Sequence, residues 1–540
     1  MHRLIVTVNS VVKINNQYNC QVQPHFIEVK IMDKTPHQED RAFFGHPRPL
    51  NSLFFTELWE RFSYYGIRPL LILYMTAIVS EGGLGLDRAS AAALIGLFAG
   101  SIYLMTIFGG WIADNWLGQS KSVWIGAVII AMGHLSIALS AFLDQFFFYF
   151  GLVLIVLGTG LFKTCIAVIV GTLYSATDTR RDAGFSIFYM GINLGAFVAP
   201  LLTGLMVEQH GWHLGFGIGG IGMLISVLIF RFIAIPQMQR LNQHTDAAHA
   251  PAYDQPVVKH PHAGKIVAAF LIFVALSICI VTLGWVQINT ILISSILTVG
   301  IVVIITAYFI YLIFFAGFNR QEKIQVLLCF ILIMAAALFW SASEQQPTAF
   351  NIFARDYTDR MLMGFEIPTV WFQSINPIFI VLFSPVIAWV WVKLGQSNRD
   401  PSYIIKFVLA LFMAAIGYII MALASQAAMT GQGGLVSPLW MVASLFMLTI
   451  GELCLSPIGL SAMTKLSPTL IRGQIMGLWC TAIALGNLIA GLVGGEILSQ
   501  SLEHFPTLFF KCVFILCIGA ILLLTLHPMM KKRLQQPASN

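Results

Sequence analysis

Fourteen windows of about twenty mostly apolar residues follow one another along this chain, each long enough to cross the hydrocarbon core of a bilayer as a helix. Backbone N–H and C=O groups find no water there, and a helix satisfies them within a single segment. The windows lie near residues 53–78, 88–113, 121–142, 146–175, 184–207, 213–235, 265–284, 290–316, 324–345, 368–392, 403–424, 437–464, 472–498 and 507–529. Of 540 residues, 58% are hydrophobic and 10% are charged, where a soluble domain carries about a quarter charged. The fold class is therefore an all-α polytopic membrane protein. Forty-five glycines suit helices whose backbones approach closely in a membrane.

Loop charge supplies an independent check. With the amino terminus inside, the outer loops hold only Arg88, Arg355, Arg360 and Lys511, while Lys121, Arg180, Arg181, Arg231, Arg240, Lys259, Lys265, Arg320, Lys323 and the other loop cations fall inside. This asymmetry predicts a multi-pass protein with an even number of spans and both termini cytoplasmic. The polar stretch 236–264 is the one clear interruption and reads as a cytoplasmic linker. The expected layout is a cytoplasmic leader over 1–50, a six-helix bundle over 51–235, the linker, two additional helices over 265–316, a second six-helix bundle over 317–529 and a tail over 530–540. The leader has no apolar core or small-residue cleavage site of a secretory signal. Met32 opens an ordinary polar start, leaving residues 1–31 as either a start-codon artefact or a disordered extension.

Several functions are excluded. The net charge of +6 is spread over loops rather than gathered on a face, which argues against nucleic acid. The eight cysteines lie mostly in apolar windows and show no metal spacing. His210 and His213 lack a third ligand. No nucleophile–base pair, metal cluster or phosphate loop supports an enzyme, so no catalytic residue and no cofactor is expected.

Charge inside the spans is the functional signal. Glu57, Glu60, Arg61, Tyr64, Tyr65 and Arg68 share one arc of a helix, following the spacing i, i+3, i+4, i+7, i+8, i+11. Lys163, Glu344 and Glu452 are the other ionisable groups at depth, apart from His134. Charges in a membrane mark ion or substrate pathways. The inventory of Glu57, Glu60, Glu344 and Glu452 against Arg61, Arg68 and Lys163 leaves one carboxyl beyond the paired set, free to carry a proton. Structural ion pairs fixing helix register would use the same residues. Asn193 and Asn376 must find hydrogen-bond partners in a neighbouring helix or a ligand. Tyr64, Tyr65, Tyr103, Trp340 and Trp479 are candidate cavity walls. His134, without a charged neighbour in sequence, is expected to hydrogen-bond between helices.

Three stretches carry a resemblance. Glu57-Leu-Trp-Glu60-Arg61-Phe-Ser-Tyr64-Tyr65-Gly66 is similar to the first-helix ExxER motif of the proton-dependent oligopeptide transporters, a family of the major facilitator superfamily. Phe185 to Ala196 resembles that family's fifth-helix signature. Gly109 to Gly118, with Asp114, resembles the superfamily's loop between helices 2 and 3, although the usual basic residue is displaced to Lys121. The resemblance spans about Gly45 to His527 and is of the bacterial type, with the two additional helices.

The resemblance implies the major facilitator fold: two six-helix bundles plus two helices. It also implies an inner-membrane symporter that imports di- and tripeptides with protons by alternating access, working as a monomer with a proton gradient as its energy source. Glu57, Glu60, Arg61 and Glu344 would couple protons. Arg61 and Lys163 would hold the peptide carboxylate, and Glu452 with Asn193 and Asn376 its ammonium. Tyr64, Tyr65, Tyr103, Trp340 and Trp479 would shape side-chain pockets. Arg68 with Glu344 would gate the outside, and Lys163 with Glu452 the inside. The second span lacks the histidine of animal members, so coupling would rest on carboxylates. Nitrate, a drug-like substrate or a non-transporting peptide sensor remain open readings.

Overall fold

The computed structural model describes residues 42–174, 178–243, 254–397, 399–431 and 434–534. Residues 1–41 of the expected leader, the middle of the linker and the end of the tail lie outside the described residues.

Among the described residues, fourteen long helices follow the apolar windows. They are α1 (Pro49–Thr76), α2 (Arg88–Ile112), α3 (Gln119–Leu139), α4 (Gln145–Thr172), α5 (Arg181–His210), α6 (Trp212–Ile229), α7 (Ala263–Thr282), α8 (Thr290–Phe314), α9 (Arg320–Ser343), α10 (Ile375–Gln396), α11 (Tyr403–Thr430), α12 (Leu439–Leu466), α13 (Arg472–Ser499) and α14 (Phe505–Leu534). Thirteen are long and apolar enough to cross a membrane by composition. The fourteenth is α1, whose Glu57, Glu60, Arg61 and Arg68 lower its hydropathy although all four are buried.

Local chemistry explains several helix starts. Pro49 begins α1, where its missing N–H costs nothing. Asp87 accepts from the Ser90 N–H at 2.8 Å, Asp144 from the Phe146 N–H at 2.7 Å and Asn289 from the Leu292 N–H at 3.0 Å. A reciprocal pair between Asn319 and Glu322 opens α9. Each cap satisfies a donor the first turn leaves without a partner.

Helices α1 to α6 pack among themselves, as do α9 to α14, and α2 against α13 joins the two groups. Glycine makes the closest approaches. A Cβ on Gly126 of α3 would lie 2.6 Å from the Gly158 carbonyl oxygen of α4, so the pair works only with bare backbone. α7 and α8 stand at the edge, with most of their surface left to lipid. α8 leans on the rest through Thr290, which donates to the Ser90 carbonyl at 3.1 Å, and through a Tyr308–Gln474 hydrogen bond.

The ninth span contains Glu344 as expected, running Arg320–Tyr357, but it is not one continuous α-helix: α9 ends at Ser343 and Glu344 is its cap. The chain turns through a wide helical loop, Gln346–Phe350, before a short helix, Asn351–Tyr357. Pro347 lacks the N–H to continue a regular ladder, and the Gln345 amide returns to the Ser341 carbonyl at 3.2 Å. A two-stranded hairpin, pairing Met361 with Glu366 and Leu362 with Phe365, follows.

The contacts between the two groups cluster at one end, here called the far end, where residues 77–87 link α1 to α2. Arg88 meets Asp356 at 2.8 Å, the Asn351 amide donates to the Pro69 carbonyl at 2.7 Å, Trp371 Nε1 donates to the Leu201 carbonyl at 3.1 Å and Ser374 Oγ to the Phe197 carbonyl at 2.7 Å. Among the described residues no hydrogen bond or ion pair joins the groups at the other end, near the α6–α7 linker. The space between them therefore opens toward the linker end.

Candidate functional site

The charged arc of α1 faces this space, and the helix spacing brings its residues together as expected. Arg61 Nε lies 3.2 Å from the Glu57 carboxylate and also donates to Glu60. One guanidinium thus serves two carboxylates, all three side chains being at most 4% exposed. Among the described residues Glu57 Oε2 and Arg61 Nη2 have no hydrogen-bond partner, so the triad is buried but unsaturated. Such groups are costly in an apolar setting unless a ligand, proton or water completes them.

Tyr64 stands between two cations, its ring 5.5 Å from the Arg61 guanidinium and 5.8 Å from that of Arg68. Tyr65 packs edge-on against it at 5.2 Å. Lys163 on α4 places its ammonium 3.9 Å from the centroid of the Tyr103 ring on α2. Among the described residues it has no carboxylate within ion-pairing distance, although Arg61, Glu60 and Glu57 all act on it electrostatically. A lysine held by an aromatic face rather than by an acid keeps its charge available to an anion.

Across the space, Glu452 of α12 accepts from the Asn376 amide of α10 at 3.0 Å, and the same amide reaches Thr449 at 3.0 Å. Glu452 has no cationic partner among the described residues. The site is therefore bipolar: Arg61 and Lys163 belong to one helix group, Glu452 to the other.

Arg68 closes the far end of this space. Its Nη2 contacts the Glu344 carboxylate and donates to the side-chain amide oxygen Oδ1 of Asn487 at 3.2 Å. Pair and asparagine are mostly buried. The cap position of Glu344, at the break after α9, aims its carboxylate at α1.

Some expected residues sit differently. Lys163 and Glu452 are not ion-paired, which follows from the open linker end. Asn193 donates to the Tyr189 carbonyl of its own helix at 3.0 Å rather than to a neighbouring helix. Trp479 is 5% exposed, fitted over Gly459 and near Phe407, so it backs the wall. Trp340 is half-buried with Nε1 unpartnered. His134, expected to hydrogen-bond between helices, instead packs on Gly219 and Gly220 with both ring nitrogens unpartnered.

Sequence reasoning missed two residues. Tyr189 lies within electrostatic reach of Glu452 and Tyr103, bridging the two sides. It is inside the stretch already marked by Asn193, one turn before it. Asn487 completes the Arg68 pair, and its signal was an amide in the middle of the apolar window of α13.

Comparison with known proteins agrees with this geometry. The profile described as POT family matches residues 120–503. The peptide transporter YePEPT of Yersinia enterocolitica subsp. palearctica is 54% identical over 489 residues, covering 90% of this chain and 95% of that protein. The di-/tripeptide transporter of Lactococcus lactis subsp. lactis is 34% identical, covering 91% and 97%. Among solved structures, a peptide transporter POT in complex with sulfate superposes with a TM-score of 0.81 at 35% identity, over 93% of this chain and 99% of that one. A POT family transporter in complex with 5-aminolevulinic acid gives 0.82 at 32% identity, over 92% and 100%. With its charged first helix, its two packed groups of six helices and these relatives along nearly its whole length, the chain belongs to the POT family.

Proposed function

We propose that this protein is a proton-coupled symporter that imports di- and tripeptides by alternating access. The carrying observation is the bipolar site, with Arg61 and Lys163 on one helix group and Glu452 on the other. A short peptide is a zwitterion whose termini keep a nearly constant spacing while its side chains vary. Cations facing a carboxylate across a cavity match those termini, and charge-assisted bonds to them supply affinity without reading side chains. The relatives named above as peptide transporters support this reading, as does the bound 5-aminolevulinic acid of one family structure, a molecule carrying both an amine and a carboxylate.

Arg61 and Lys163 take the peptide carboxylate, and Glu452, steadied by Asn376, takes the ammonium. Asn193 and Tyr189 stand beside it, and Tyr64, Tyr65, Tyr103 and Trp340 form the walls. Glu57 and Glu60 share Arg61. When the peptide carboxylate draws that guanidinium away, a carboxyl loses its counter-ion and protonation becomes favourable, tying proton and peptide in one step. Arg68 and Glu344 hold the far end shut. Protonating Glu344 releases the pair and opens that end, which biases the two-state exchange a symporter needs. The far end is the outer one, and the linker end and both termini face the cytoplasm of a bacterial inner membrane. The protein works as a monomer.

The test is uptake of a labelled dipeptide into liposomes under an imposed proton gradient, competed with free amino acids, tetrapeptides and nitrate. Di- and tripeptides should compete and the others should not. Binding without gradient-driven accumulation would make the protein a sensor, and competition by nitrate would move the substrate to small anions.

A further inference from the structure

The chain entering α7 forms a strap over the loop between α2 and α3. The Val258 N–H donates to the Asp114 carbonyl at 3.0 Å and the His260 N–H to the Asn115 carbonyl at 3.1 Å. The loop is shaped for this contact. Gly118 sits at φ +82°, where a Cβ would lie 2.8 Å from the Asp254 backbone. The His260 ring lies 6.1 Å from that of Trp111, and a Cβ on Gly264 would be 3.6 Å from the Trp116 ring.

The strap carries Lys259, His260 and His262, and the first turn of α7 carries Lys265, all exposed. None of them forms an ion pair with a carboxylate among the described residues. Of the acids nearby, Asp114 is engaged by the Gln119 amide at 2.7 Å, and Asp254 lies at the start of the strap. Val257 and Val258 are 79% and 62% exposed beside these side chains, and Trp116 is 44% exposed. The strap ends where the apolar helix α7 begins, so this surface sits at the depth of lipid headgroups. Two lysines with no carboxylate partner among the described residues, two imidazoles able to donate hydrogen bonds, an apolar pair and an indole at that level match an anionic headgroup with its first acyl carbons.

We infer that Lys259, His260, His262 and Lys265, with Trp116 and the Val257–Val258 pair, form a binding surface for an anionic phospholipid headgroup. Bound there, the lipid braces the strap against the Asp114 loop. This assignment is independent of which side of the membrane the linker end faces and of the transported substrate.

The test uses the full-length protein in micelles, titrated with phosphatidylglycerol or phosphatidylcholine while retained lipid is counted by native mass spectrometry. Wild type should retain phosphatidylglycerol and not phosphatidylcholine. Lys259→Gln with Lys265→Gln should weaken retention about tenfold, whereas Lys465→Gln, at the same end but off the strap, should leave it unchanged. Brominated phosphatidylglycerol should quench wild-type fluorescence more than that of Trp116→Phe. Equal retention in the double variant, an equal effect of Lys465→Gln, or equal retention of both lipids would each overturn the assignment. So would displacement of phosphatidylglycerol by millimolar inorganic phosphate, which would make a free anion the ligand.

Discussion

Gly96 of α2 and Gly491 of α13 touch backbone to backbone: a Cβ on Gly96 would lie 2.9 Å from the Gly491 Cα and 2.8 Å from the Asn487 carbonyl oxygen. Closure of the far end depends on this absence of side chains. Gly96→Ala should therefore penalise the closed arrangement by about 1–3 kcal/mol, shifting populations by roughly 5- to 150-fold. Spin labels placed across the far end should report longer separations in the variant. An unchanged distance distribution would show that the helices slide to accommodate the methyl.

Arg68 and Glu344 are expected to behave as a unit. Glu344→Ala leaves a buried guanidinium without its acid, a loss of about 3–5 kcal/mol to the closed end. The charge swap Arg68→Glu with Glu344→Arg should recover part of what either single swap loses in uptake. Additive losses in that double-mutant cycle would show that the contact carries no coupling.

Glu60→Gln removes one of the two carboxylates that share Arg61. Uptake driven by a proton gradient should fall to background while peptide counterflow stays measurable. Full accumulation in this variant would place the proton step elsewhere.

Lys163 rests on the Tyr103 ring and forms no ion pair with an acid among the described residues, and Lys163→Ala should lose most transport while the protein still reaches the membrane. Lys163→Arg should recover little, because a planar guanidinium does not reproduce the ammonium's contact. Wild-type kinetics in the alanine variant would leave Lys163 a packing role only.

His46, just before α1, is buried and lies 2.9 Å from the Tyr174 hydroxyl. Burial first, and then the Arg180 charge, lowers its pKa below the ordinary value, with Asp178 opposing. The folded protein then binds this proton less readily than the unfolded chain does, so stability falls as pH drops below about 6.5. His46→Gln should flatten the acid side of a thermal-stability profile between about pH 7 and 5. A profile matching wild type would assign the acid loss to other groups.

The sequence exposed the fold readily, because hydrocarbon imposes one secondary structure and one minimum length on every apolar window. The arc Glu57–Arg68 was equally legible, since all its members lie on one helix and spacing alone sets their neighbours. Pairings between distant segments were not. That Glu344 caps a broken helix, or that Asn487 completes the Arg68 contact, depends on how α9 and α13 pack. A sequence reports the need for a partner without naming it. His134 marks the opposite failure: a polar residue was assumed to be bonded, and the glycines of α6 accommodate its ring without a bond.

The placement of the cross-group contacts has a mechanical meaning. A helix of 28 residues such as α1 is about 42 Å long, and the contacts joining the two groups occupy little more than its far third. The groups thus resemble the arms of a clothes-peg gripped near one tip. A small rotation about that grip sweeps the opposite tips through a much larger arc, so a displacement of a side chain's width at Arg68 translates into helical diameters at the linker end. Under the proposed mechanism, leverage of this kind would let protonation of the Arg68–Glu344 pair, a change at one tip, be felt along the whole length of both arms.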